Sequence, residues 1–76
     1  MREINCDPQY TGYCVEIEQG DTAEEVIEYA HEIDATWLEQ IDEDKSELCF
    51  VVKFPGRFPE LYSEKALRSG IRQMSS

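Results

Sequence analysis

Tyr13, Val15 and Ile17 alternate with Cys14, Glu16 and Glu18, the period-two pattern of a strand with one buried face. Gly12 ahead of that run and Gln19-Gly20-Asp21 behind it supply turn chemistry, and residues 1–6 predict a shorter strand beside it, broken at Asp7-Pro8. The period then changes. Ala23, Val26, Ile27, Ala30, Ile33, Trp37, Leu38 and Ile41 follow intervals of three and four, one face of a helix lasting about five turns. Asp21 or Thr22 caps it, because Glu24 and Glu25 stand three residues beyond each, where a capping box places its carboxylate. Asp34-Ala35-Thr36 is the weak stretch, since Asp and Thr are mediocre helix formers. A rival parse ends the helix near Ile33, makes residues 36–41 a strand and turns near Asp44-Lys45-Ser46. Periodicity alone favours the long helix.

Leu48-Cys49-Phe50-Val51-Val52-Lys53-Phe54 is β-branched and aromatic, with Leu48, Phe50, Val52 and Phe54 on one face of the surest strand. Pro55-Gly56-Arg57-Phe58-Pro59 ends it, because proline cannot continue a ladder. A second helix is expected over residues 60–73, with Pro59 suited to its first position. Gly70 weakens its last turn by about 1 kcal/mol relative to alanine. These elements predict one α+β domain over residues 1–76. Its antiparallel sheet of about three strands packs with one long acidic helix and a shorter C-terminal helix, in the order ββαβα. A chain of 76 residues buries only about 60% of the surface its unfolded form exposes. Little room is left for an enclosed ligand pocket of about 300 Å³ or more. An apolar fraction of 41% marks the chain as folded despite its charge.

That charge is sorted along the chain. Residues 1–44 hold fourteen carboxylates and one base, Arg2, whereas residues 45–76 hold three carboxylates and six bases. The two segments carry formal charges of −13 and +3, within a total of −10. A surface built for solubility intersperses both signs; a one-sign field repels nucleic acid and attracts basic surfaces. The long helix turns Glu24, Glu25, Glu28, Glu32, Glu39, Asp42 and Glu43 outward, with Asp44 following them. Glu24, Glu28 and Glu32 form an i, i+4, i+8 row with a carboxylate about every 6 Å. Like charges so spaced cost an isolated helix roughly 0.2–0.5 kcal/mol per pair. The helix dipole rewards only the first turn, which accounts for Glu24 and Glu25 but not for Glu32, Glu39 or Glu43.

Three accounts of the acidic row compete. A solvated helix face is the plainest. Adaptation to high salt is the second, and the preference for Glu over Asp, twelve to five, speaks mildly against it. The third is imitation of phosphate. Duplex DNA carries a charge about every 1.7 Å of axis, and Glu shares with phosphate the ability to accept bidentate arginine bonds. On the second helix, Lys65, Arg68 and Arg72 form a basic stripe, with Arg57 in the preceding loop. It pairs with the acidic helix or with the negative end of the helix dipole, or else anchors an acidic patch on a partner or contacts a twofold mate, and is too weak to bind nucleic acid directly.

Chemical motifs are sparse. Cys6, Cys14 and Cys49 are odd in number and lack C-x-x-C spacing, so small buried thiols in reduced form are expected. A calcium loop starting at Asp42 would need Gly at its sixth position and Glu at its twelfth, where this chain has Glu47 and Lys53. His31 is the only histidine and sits beside the apolar stripe, which places it at the surface. No Gly-rich phosphate loop or nucleophile elbow occurs. No cofactor and no enzymatic activity are expected. Residues 1–8 lack the apolar region of a signal peptide and no apolar run has membrane-spanning length, so a cytoplasmic location without membrane contact is expected.

In size, acidity and economy the chain resembles the small phage-encoded inhibitors of the anti-CRISPR type. The resemblance is carried by Glu24, Glu25, Glu28, Glu32, Glu39, Asp42, Glu43 and Asp44. It implies a non-enzymatic inhibitor in the cytoplasm of the host cell. Such an inhibitor lays an acidic, DNA-mimicking helix face on the basic nucleic-acid-binding surface of a protein complex, of the CRISPR effector kind. The alternative is an acidic adaptor or antitoxin-like subunit that neutralises a basic partner without mimicry. For the inhibitor, Trp37 would be an anchor if its edge is exposed beside the acidic row, and core otherwise.

Overall fold

A computed structural model describes residues 1–6 and 12–75, and the expected break at Asp7-Pro8 lies outside them. The elements run β1 (Arg2–Asn5), β2 (Tyr13–Glu16), α1 (Ala23–Glu32), β3 (Thr36–Asp42), β4 (Lys45–Lys53), β5 (Glu60–Ser63) and α2 (Glu64–Ser75). The order is ββαβββα around a five-stranded mixed sheet, which corrects the expected ββαβα with about three antiparallel strands.

Two local signals account for the difference. The first is the end of α1. It opens as expected: the Thr22 hydroxyl accepts from the Glu25 N–H (3.2 Å) and donates to the Glu25 carboxylate (2.9 Å). It closes after ten residues rather than running on to Ile41. The Ala35 N–H reaches back to the Ala30 carbonyl (2.8 Å) and the Asp34 N–H to that of His31 (3.3 Å). This is a Schellman stop, with Asp34 in the left-handed position at φ 60° that glycine usually fills. Ala30 and Ala35, fully buried, supply its apolar contact. The rival parse, with a strand over residues 36–41, is therefore the correct one.

The second signal is Ser63. Its hydroxyl accepts from the Ala66 N–H (3.1 Å), so α2 is capped there and begins at Glu64 rather than with Pro59 in its first position. That frees Glu60–Ser63 to pair with β4, Phe50 opposite Tyr62 and Cys49 opposite Ser63.

β4 is the hub. It pairs antiparallel with β3 along residues 45–50, parallel with β2 at Val52 and Lys53, and antiparallel with β5. Val51 donates to the Ala35 carbonyl and Lys53 accepts from the Ile17 N–H. Residues two apart point their polar groups to the same edge, so β3 and β2 share one edge of β4 in succession and β5 takes the other. Phe50, Val52 and Val15 meet Val26, Ala30, Leu67 and Ile71, the core that both helices cover. The opposite face is also largely closed: Cys14, Cys49 and Val51 are buried beside the half-buried Ile4, Trp37 and Leu61. Hence β2 buries Cys14 as well as Val15, and Tyr13 is exposed rather than core.

Gly70 has a packing reason. A Cβ there would lie 2.6 Å from the end of the Phe54 ring, which is itself buried edge-to-face on Tyr62 at 5.1 Å. Gly70→Ala is therefore expected to destabilise by about 1 kcal/mol despite its better helix propensity, because overpacking outweighs that gain. In a Phe54→Leu background the sign should reverse, measured as urea midpoints. At Asp34, Val should cost about 1–2 kcal/mol and Gly should cost nothing, because any Cβ strains the left-handed backbone, a β-branched one most, and Gly has none. Equal losses for both would refute the stop described above.

Candidate functional site

The stop at Asp34 divides the acidic residues between two elements. Glu24, Glu25, Glu28 and Glu32 are exposed on α1, as expected. Glu39 and Asp42 belong to β3, and Glu43 and Asp44 to the turn before β4. The continuous helical face of carboxylates does not form, because residues beyond Glu32 are not helical.

The row on α1 is itself interrupted. Arg68 on α2 donates to Glu24 at 2.7 Å and to Glu64 at 3.1 Å, clamping the two helices. That bond holds the Glu24 carboxyl below its usual range and raises the Arg68 guanidinium above its own. Arg68 thus fulfils the pairing reading of the basic stripe. The remaining carboxylates, Glu25, Glu28 and Glu32, line a shallow depression with Met1 and Tyr29. His31 is exposed, its ring edge-on to Phe50 at 5.6 Å.

The second set sits on an arm. Residues 38–48 of the β3–β4 hairpin are exposed throughout, on both faces. The pairing brings Leu38 opposite Leu48 and Glu39 opposite Glu47, so the leucine pair shares one face of the arm with Gln40 and Ser46 and the glutamate pair lies on the other. Leu38 is 64% exposed, Ile41 61% and Leu48 41%. Ile41 lies where the register shifts between Gln40 and Asp42. The Asp42 carboxylate accepts from the Glu43 N–H (2.8 Å) and shapes the tip. Trp37 stands at the base, half-buried across from Cys49, with its indole N–H donating to Glu39 (3.0 Å). It is neither core nor a fully presented anchor.

Glu47, Leu38, Ile41 and Leu48 went unassigned to a site from the sequence. Leu38 and Ile41 fit the apolar stripe of a longer helix, and only the turn at Asp44-Lys45-Ser46 hinted at the hairpin. Elsewhere, a cleft of about 250 Å³ between the β4–β5 loop and α2 is lined by Phe54, Arg57, Tyr62, Gly70 and Met74 among others, below the usual size of a ligand pocket of about 300 Å³. Among the described residues no charged or polar side chain is buried, no three metal-ligating side chains come together, and no helix is long and apolar enough to cross a membrane.

The three thiols are free. Burial, then the neighbouring Cys6, pushes the Cys14 thiol far up; burial, then the Glu47 and Glu39 charges, raises that of Cys49. Cys6 is the more accessible. Iodoacetamide at pH 8 should therefore label Cys6 first, with Cys14 and Cys49 slower by about tenfold or more until the chain unfolds, since the thiolate is the reactive form. Mass spectrometry of the labelled native protein checks this, and equal labelling of Cys14 would refute it.

No family model matches the chain, and no curated protein or solved structure is significantly similar to it.

Proposed function

We propose that the protein is a non-enzymatic inhibitor that docks its acidic surface on the basic, nucleic-acid-binding surface of a partner protein or complex. The observation that carries this reading is the β3–β4 arm. It adds nothing to the core, yet it displays Leu38, Ile41 and Leu48 together with the exposed Glu39, Asp42, Glu43, Asp44 and Glu47. An interface of this make-up combines apolar contact with electrostatic selection of a basic partner. Carboxylates within about 10 Å of one another act together at 0.1 M salt. Glu25, Glu28 and Glu32 on α1 extend the field. The resemblance to anti-CRISPR inhibitors makes a CRISPR effector complex the first target to test.

The exposed leucines and Ile41 favour a second reading, an adaptor or antitoxin-like subunit, since apolar contact persists in salt and does not depend on phosphate imitation. Competition separates them. A partner captured from nuclease-treated lysate at low salt should be displaced by duplex DNA if its nucleic-acid surface is occupied, and retained if it is not. Glu43→Lys, Asp44→Lys and Glu47→Lys together should weaken capture by about tenfold or more with the fold intact, because exposed substitutions away from such contacts as that of Asp42 each change stability by only about 0.5 kcal/mol. Undiminished capture by that variant would overturn the electrostatic reading. Glu24 is unsuitable for such a reversal, since a lysine there would face Arg68.

A further inference from the structure

β3 has an open edge. Among the described residues it pairs with β4 alone. The direction of its free backbone groups follows from the ladder. Val51 donates to the Ala35 carbonyl, and in an antiparallel pair every second residue exchanges hydrogen bonds with its partner. Trp37 and Glu39 therefore turn their N–H and C=O groups toward β4, whereas Thr36, Leu38 and Gln40 turn theirs outward. Leu38 and Gln40 are exposed and Thr36 is half-buried. No proline interrupts β3, and the register shift after Gln40 sets the end of the straight edge. Proteins usually blunt such an edge with proline, lysine or a covering element. This one carries Glu39 and Asp42 along the edge and the register shift after Gln40, with Lys45 opposite Asp42, and its stretch from Thr36 to Gln40 is uncovered among the described residues.

We infer that the outer edge of β3 takes up an extended basic segment of a partner protein as an added strand. Charge selects this occupant. A second copy pairing edge to edge would bring two chains of formal charge −10 side by side, each with Glu39 and Asp42 on that strand, and like charges repel. A basic segment meets the opposite condition. Its side chains alternate between two faces. On one face they would lie beside Leu38, and on the other beside Trp37 and Glu39. The edge thus fits a segment in which apolar residues alternate with lysine or arginine, with backbone hydrogen bonds supplying affinity and the alternate side chains supplying selection.

The inference rests on the docking reading above and is tested so that the two fail differently. The probe is a seven-residue peptide of alternating valine and lysine. Its control is the same peptide methylated at every backbone amide nitrogen, which keeps every charge but offers no N–H to a ladder from either edge. Binding of the first should slow amide exchange at Leu38 and Gln40 by about tenfold or more while leaving Trp37 and Glu39 little changed, and methylation should weaken binding by about tenfold. Gln40→Pro removes one outward N–H and no carboxylate, and should weaken binding comparably. If that variant does not fold, the peptide pair alone decides. Equal binding of both peptides, protection on α1 instead of β3, or no binding of either overturns strand addition and leaves acidic docking in place. Methylation-sensitive binding that survives Glu43→Lys, Asp44→Lys and Glu47→Lys in high salt overturns the basic segment as occupant, together with the electrostatic reading. A dimer of the chain alone, with Leu38 and Gln40 protected, overturns the proposal in favour of a second copy.

Discussion

Ala35 joins two kinds of backbone order in a single residue. Its N–H closes α1 on the Ala30 carbonyl at 2.8 Å, and its own carbonyl receives the Val51 N–H at 3.0 Å, opening the ladder between β3 and β4. Burial of Ala35 leaves no water to replace either bond, so both must form within the protein. The left-handed Asp34 supplies the reversal that makes them compatible. Without that joint the apolar stripe would run on as helix, β4 would lose its longest partner, and the carboxylates beyond Glu32 would return to one cylinder.

The hub position of β4 follows from the same joint. Three strands compete for its two edges, and they coexist because β3 leaves it at Phe50 while β2 joins only at Val52. The inner half of β4, from Cys49 to Val52, is buried on both faces; its outer half, from Lys45 to Leu48, is exposed on both. One strand thus serves as core and as support for an arm. Each large side chain buried in the inner half contributes about 1.5–3 kcal/mol, which is what lets a small domain carry an arm that contributes little burial.

Charge is handled in the same divided way. Where acidic residues crowd the helices, Arg68 spans Glu24 and Glu64, and where they border the sheet, Glu16 takes Arg2 and Lys53 (3.8 Å for the latter). The arm receives no such partner among the described ion pairs. Its carboxylates remain a solvent-facing field around apolar side chains, the combination from which the docking reading is drawn.

Local chemistry was enough to read some of this directly from the chain. Thr22 and Glu25 announced the start of α1, the β-branched run through Phe50 and Val52 announced β4, and the spread of charge was plain. Those features depend on residues within a turn or a strand of one another. The end of α1, the four-residue β5 and the division of the acidic set were decided by tertiary structure. Ile33, Trp37, Leu38 and Ile41 fit a helical stripe because the arm is exposed on both faces, and a strand with no buried face imposes no alternation to read. Glu60–Ser63 became a strand only because β4 offered it an edge, with Ser63 ending that strand and capping the next helix. Composition settled that the chain is acidic and folded; packing around Ala35 and β4 decided where the acid faces.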